Sequence, residues 1–416
     1  MARCRWFLLS LTLTLILASS ISASAQSLPL IIQIAPTANI TPIVTALGGT
    51  LVDNIPGANT FLLNVPAVPA PQVASLLGIQ WAELNNGVSI PNFALLAQVT
   101  VPGTVAPDWY KYQPSWQLIE AQNALAYSTG SGVVVADINS QVDNSHPALT
   151  GHLTSGYDFV ATKPSGYVAI NQSDTSFVDQ SDTSFVDQSD TSFVDQYGGV
   201  LSKVGLNTVN PAYSHGTLCA GVIAAIAPGA MIMPLRTFDN NGQADLFVLA
   251  KAIRWAVEHG AQVINMSFGT LTNSHAIVSA INYAGNSNVV LVASAGNNNT
   301  SNPQYPAAYT GVLGSAATTL SDQKASFSNY GSQVFVDAPG VDIISAYPGG
   351  NYSIVSGTSF SAPAVAGTAA LVRSLQWTGV ANAIAGGAVN INSANPNYVN
   401  QLGYGRIDVL HAVKPN

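Results

Sequence analysis

Four short segments of this 416-residue sequence carry side chains suited to covalent hydrolysis. The first is Gly357-Thr358-Ser359-Phe360-Ser361-Ala362-Pro363, followed by the apolar run Ala364 to Leu375. That run is apolar on every side and reads as a buried helix, with Pro363 tolerated inside its first turn. Ser359 then stands at the helix N-terminus, where free backbone N–H groups and the helix dipole stabilise a developing anion. A hydroxyl beside an anion site is what a nucleophilic serine requires, although a Ser or Thr cap on a core helix explains this segment alone equally well. The second segment, His215-Gly216-Thr217, opens a helical run that ends at Ile226. The third is the apolar strand Val133 to Ala136, which ends at Asp137, and the fourth is Val289 to Ala293, which runs into Ser294-Ala295-Gly296-Asn297. Ligands of open parallel sheets sit at the carboxyl ends of strands, so Asp137 and Asn297 share a crevice with the helix starts at His215 and Ser359. Asp, His, Ser is one of the serial orders that hydrolase triads use.

The elements that must position these groups alternate between apolar strands and helices from about residue 116 onward. Met231 to Leu235, Gln262 to Met266 and Val289 to Ala293 read as strands; Leu246 to His259 and His275 to Tyr283 read as helices. The pattern predicts an α/β fold, a doubly wound and mostly parallel sheet with helices on both faces. Before it, Leu28–Ile34, Ile40–Leu47, Thr50–Asn54, Thr60–Val65, Ala70–Leu77 and Ile79–Leu84 read as strand, helix, two strands, helix, strand, a small α+β ferredoxin-like unit over residues 26–87. Residues 88–115 are rich in Pro and Gly without a clear period and read as a linker ahead of a domain over 116–416. Within that domain the octapeptide Ser173-Asp174-Thr175-Ser176-Phe177-Val178-Asp179-Gln180 recurs unchanged twice, filling 173–196. It reads as a surface insertion, the alternative being an aspartate-rich binding arm.

Composition narrows the partners. Charged residues make up only 8% of the chain and its net charge is −8, with no basic cluster, which argues against nucleic acid. Residues 1–25 read as a secretory signal: Arg3 and Arg5, then the apolar Trp6 to Ala18, then Ala23-Ser24-Ala25. Cys4 leaves with the signal, so the exported chain keeps Cys219 alone and no internal disulfide. No later segment has the length of a membrane span.

Taken together, these motifs resemble those of subtilisin-family serine proteases (subtilases). His215-Gly216-Thr217-Leu218-Cys219-Ala220-Gly221 is similar to the family's histidine motif, and Gly357 to Pro363 to its serine motif. Val134-Val135-Ala136-Asp137 with His146-Pro147-Ala148-Leu149 resembles its aspartate motif. The resemblance covers about Trp116 to Val413, and residues 28–84 resemble the inhibitory propeptide. It implies that Ser359 attacks the peptide carbonyl, His215 moves the proton and Asp137 holds the imidazole, with Asn297 and the Ser359 N–H as oxyanion hole. Ser267, Phe268 and Gly269 on one side and Asn241 and Gly242 on the other would flank an extended substrate, with Gln304 at the floor of the specificity pocket. Phe268 has a competing reading as a core aromatic. Tyr305-Pro306 matches a cis position of the family. The expected product is a secreted, monomeric endopeptidase acting on polypeptides, made as a zymogen that its own propeptide inhibits and that cuts itself between Asn85 and Tyr110.

This sequence also departs from the family pattern. Ile138-Asn139-Ser140-Gln141 follows Asp137 where the family has a small residue and Gly, and reads as a short insertion, with Asp143 as rival acid. The loop after Ile226 and the Ala148 position lack what the family's strong calcium site uses, so no metal and no cofactor are expected. Cys219 reads as a small core residue. A catalytically inactive binding protein on the same fold, or an acid-acting Ser-Glu-Asp relative, are the competing functions.

Overall fold

The computed structural model describes residues 27–101, 104–167, 169–170, 201–202, 211–377 and 379–414. The expected signal segment and the octapeptide insertion lie outside the described residues.

The N-terminal unit comprises β1 (Leu28–Ile34), the helix Ile40–Ala46, β2 (Thr50–Ile55), β3 (Thr60–Val65), the helix Pro71–Leu76 and β4 (Ile79–Leu84). Its antiparallel sheet has the order β2-β3-β1-β4, as the strand–helix–strand–strand–helix–strand pattern predicts. Alternation along β1 divides its apolar residues between two faces. Leu30, Ile32 and Ile34 pack under the unit's own helices with Ile43, Leu63, Val65 and Ile79. Ile31 points the other way and, with Leu62, Ile55 and Ala58, joins the core of the following domain. Burying each of Ile31, Leu62 and Ile55 is worth about 1.5–3 kcal/mol, so this face fixes the unit to the domain. Lys251 pairs with Asp53 at 2.7 Å across the junction. The Glu83 carboxylate accepts from His275 N, Ala276 N and the Ser274 hydroxyl at 2.8–2.9 Å, satisfying the N-terminus of the helix His275–Asn286.

Residues expected to be a structureless linker contain two strands, β5 (Gly87–Ser89) and β6 (Ala94–Thr100). Local sequence did not announce them because their partners are distant. β5 pairs with β11 (Gln243–Asp245) and β6 with β17 (Asn351–Ser356), both antiparallel.

The main sheet has seven parallel strands in the order β15-β14-β13-β12-β7-β10-β8. They are β7 (Val134–Asn139), β8 (Tyr157–Asp158), β10 (Met231–Arg236), β12 (Val263–Met266), β13 (Val290–Ser294), β14 (Val312–Thr318) and β15 (Val336–Pro339). A smaller sheet, β16-β17-β6-β9, adds β16 (Ile343–Tyr347) and β9 (Leu201–Ser202). Alternate strand residues enter different layers. Val135, Val263 and Val292 pack with the helices His215–Ile226 and Thr358–Ser374. Ala136, Ile138, Ile264 and Leu291 pack with the helices Leu246–Glu258 and His275–Asn286. The doubly wound α/β expectation is met.

Strand β7 corrects one expectation. It does not end at Asp137 but continues to Asn139, paired with β10 from Val134↔Met231 to Asn139↔Arg236 without a register shift. Ile138 and Asn139 are therefore strand, not an inserted loop. Asp137 and Asn139 share the face of Val135, toward the helices that begin at His215 and Thr358.

Candidate active site

Ser359 lies in the first turn of the helix Thr358–Ser374, directly after β17 and the extended Gly357. Pro363 falls beyond that first turn, so its missing N–H removes the helical partner of the Ser359 carbonyl. Two side chains replace it: Ser267 Oγ donates at 2.9 Å and Cys219 Sγ at 3.4 Å. The break at Pro363 thus ties Ser359 to the end of β12 and to the helix that carries His215.

His215 is the first residue of the helix His215–Ile226 and is completely buried. Its Nδ1 lies 2.7 Å from Asn139 Oδ1. This corrects the expectation that Asp137 holds the imidazole, for no hydrogen bond or ion pair joins Asp137 to His215. The carboxylate sits one strand step back, where Asn139 Nδ2 reaches its oxygens at 3.2 and 3.3 Å and Asn265 Nδ2 reaches Oδ1 at 2.8 Å. Asn265 occupies the matching face of β12, where register pairs it with Asp137. Asp143, the rival acid, is a turn residue: it accepts from Ser145 N and Oγ and from Gly349 N. Asn139 escaped sequence reasoning because an amide carries no titratable signature; its shared face with Asp137 was the available signal.

Burial dominates the electrostatics. It pushes the Asp137 carboxyl up to about 7, against the opposing pull of the Asn265 and Asn139 amides. It holds His215 down at about 3. His215 Nε2 and Ser359 Oγ are both buried without a hydrogen-bond partner. Serine and histidine pairs often tighten only once a reacting group is bound.

Asn297 follows β13, as expected, and its amide is used at both ends. Oδ1 accepts from Thr358 N at 2.9 Å and Thr358 Oγ1 at 2.7 Å, which orients Nδ2 outward. Nδ2 donates at 2.8 Å to the carbonyl oxygen of Asn92, from the chain's own segment between β5 and β6. That segment, residues 90–93, has no regular secondary structure of its own and joins two paired strands. On one side Ile90 N donates to Gly242 O at 2.9 Å, next to the β5–β11 pairing. On the other, Ala94 is in register with Ser356, the last residue of β17. The Phe93 ring between them lies 5.2 Å from His215 and 5.5 Å from Phe360.

The remaining expected residues divide. Gly242 lines the strand-pairing edge, and a Cβ there would stand 2.6 Å from Ala212. Asn241 belongs to the same turn, its N–H held by Asp239 Oδ1. Ser267 does not face the crevice with its hydroxyl, which is spent on Ser359. The Phe268 side chain is buried, its ring 5.5 Å from Phe238, and it packs as a core aromatic. Gln304 is buried between two glycines: an added Cβ at Gly269 or Gly296 would collide with its side chain. Asn329 Nδ2 holds Gln304 Oε1 at 2.9 Å. The Tyr305–Pro306 peptide is cis. Among the described residues no group of His, Cys, Asp and Glu is arranged to hold a metal ion, and no helix is long and apolar enough to cross a membrane.

Comparisons with known proteins give the family and the fold. The model of the subtilase family matches residues 130–405. Thermitase of Thermoactinomyces vulgaris is 34% identical over 268 residues, 62% of this chain and 81% of its own length. A thermophilic serine proteinase of Bacillus sp. (strain AK1) is 35% identical over 306 residues, 70% of this chain and 65% of its own length. The crystal structure of fervidolysin from Fervidobacterium pennivorans, a keratinolytic enzyme related to subtilisin, superposes with a TM-score of 0.67 at 23% identity. That superposition covers 94% of this chain and 61% of fervidolysin, and it shows a common fold.

Proposed function

The chain belongs to the subtilase family of serine peptidases, and on that premise we propose that it is an endopeptidase whose first substrate is its own Asn92–Phe93 peptide bond. The observation that carries this is the Asn297–Asn92 hydrogen bond, in a segment whose preceding strand pairs with β11 and whose following strand pairs with β17. Ser359 Oγ attacks the Asn92 carbonyl carbon while His215 Nε2 takes its proton. The carbonyl oxygen becomes an oxyanion held by Asn297 Nδ2 and the Ser359 N–H, which lies in the first helical turn where no intrahelical acceptor exists. Collapse breaks the Asn92–Phe93 bond, and His215 returns the proton to the Phe93 amine. Water then attacks the Asn92 acyl-enzyme by the same route and frees Ser359. Asn139 occupies the place of the usual acid: its Oδ1 accepts the Nδ1–H and leaves the Nε2 lone pair toward Ser359, an arrangement with precedent in Cys-His-Asn enzymes.

In this reading residues 26–92 are an inhibitory propeptide docked through Glu83, Asp53 and the apolar face of β1, and residues 1–25 direct export of a monomeric zymogen. Other polypeptides enter the cleft after the segment leaves.

One observation favours a second reading. An amide gives less support to an imidazolium than a carboxylate, so the chain could instead retain its segment as a non-catalytic binding protein on the same fold. A fluorophosphonate probe separates the two. Labelling of Ser359 in wild-type protein, absent from Ser359→Ala, is the expected result; an unlabelled wild-type protein establishes the binding-only reading.

A further inference from the structure

The amide of Asn139 has only one satisfactory orientation. Oδ1 accepts from His215 Nδ1 at 2.7 Å and from Ser140 N at 2.9 Å. Nδ2 points back along the strand to both oxygens of Asp137. With Asp137 ionised, as it is above about pH 7, turning the amide over would set Oδ1 against a carboxylate and NH2 against the Ser140 N–H, leaving buried groups facing like partners. Such mismatches are costly when buried, and more so when one group is charged. Asp137 is itself fixed from β12 by Asn265, whose Nδ2 also reaches Ser267 Oγ at 3.0 Å.

The geometry points to Asp137 as a positioning residue: through Asn139 it selects the His215 tautomer that bears its proton on Nδ1. This rests on the reading of Ser359 and His215 as the reacting pair. An unlocked Asn can offer its NH2 to Nδ1, which puts the imidazole proton on Nε2 and leaves His215 unable to accept one from Ser359. A wrong tautomer of that origin costs about 10⁴ in kcat in another serine protease. Here the carboxylate withdrawn one strand step prevents it, and the acid and the acceptor of a triad are divided between two residues, Asp137 and Asn139.

The test compares Asp137→Asn in two backgrounds, using the matured enzyme and a peptide substrate. With Asn139 present, kcat should fall by about 10²–10⁴ while KM changes little. With Asn139→Asp, where a carboxylate has no amide orientation to lose, Asp137→Asn should change kcat by less than about threefold or raise it. An equal loss in both backgrounds, or no loss in the first, overturns the proposal. The 15N shifts of His215 in the Ser359→Ala precursor read the tautomer without activity. Nδ1–H in the parent protein and a shift toward Nε2–H on Asp137→Asn are expected, and an unchanged tautomer refutes the assignment. This measurement stands even if Ser359 proves unreactive, and Asp137→Ser replaces Asp137→Asn in both comparisons if the amide variant does not fold.

Discussion

Asn297 Nδ2 and the carbonyl oxygen of Asn92 lie 2.8 Å apart, so in the proposed mechanism the chain's own backbone occupies the position of the reacting carbonyl. The amide can do this because its other end is held by Thr358, the residue before Ser359. Asn297→Ala should therefore lower kcat by about 10²–10³ with little change in KM, since the donor matters most once the oxygen is charged. Steady-state kinetics on a peptide substrate checks the split, and a change confined to KM contradicts the role.

Ser267 supports Ser359, the proposed nucleophile, from behind. Its hydroxyl satisfies the Ser359 carbonyl that Pro363 cannot. Ser267→Ala leaves that buried carbonyl with only the weak Cys219 thiol and should cost about 1–3 kcal/mol of stability. Urea unfolding of the Ser359→Ala precursor measures it; a neutral effect would show that the thiol suffices.

Most of the architecture was legible because it is written locally. The helix His215–Ile226 and the strands Leu28–Ile34 and Thr60–Val65 have the predicted bounds, each set by its own apolar period. The elements that escaped depend on distant partners. β5 and β6 become strands through residues 243–245 and 351–356, which no local window contains. Asp137 reads as a strand end because the apolar run stops there. Three polar residues are accommodated in the sheet because Asp137 accepts from the amides of both Asn139 and Asn265. His215, Ser359 and Asn297 are named by their motifs, whereas the group on His215 Nδ1 required coordinates.

Asp137 and His215 oppose each other along the pH axis. Burial raises the Asp137 carboxyl to about 7, so its contribution to stability is complete in acid and is lost as pH rises through that value. His215 is depressed to about 3, so its contribution is complete above the ordinary histidine range near 6.5 and is lost as pH falls toward 3. Asp137→Asn removes only the first dependence. In the Ser359→Ala precursor, its effect on the urea midpoint should become more favourable from about pH 5 to about pH 8. A pH-independent difference contradicts the assignment.

Gln304 fills the space between Gly269 and Gly296, while Asn92 remains exposed. Large side chains before the scissile bond therefore find little room. Gln304→Ala should raise kcat/KM for Phe over Ala at that position by about tenfold, as a peptide library would show. An unchanged preference would place the pocket elsewhere.

The most direct test of the account is the N-terminus of the mature protein. Mass spectrometry of the wild-type chain after expression should find Phe93 as the first residue, and Ser359→Ala should retain an intact Asn92–Phe93 bond. A different N-terminus, or the same cut in Ser359→Ala without added protease, contradicts the claim that this chain's own serine cleaves the strand lying in its cleft.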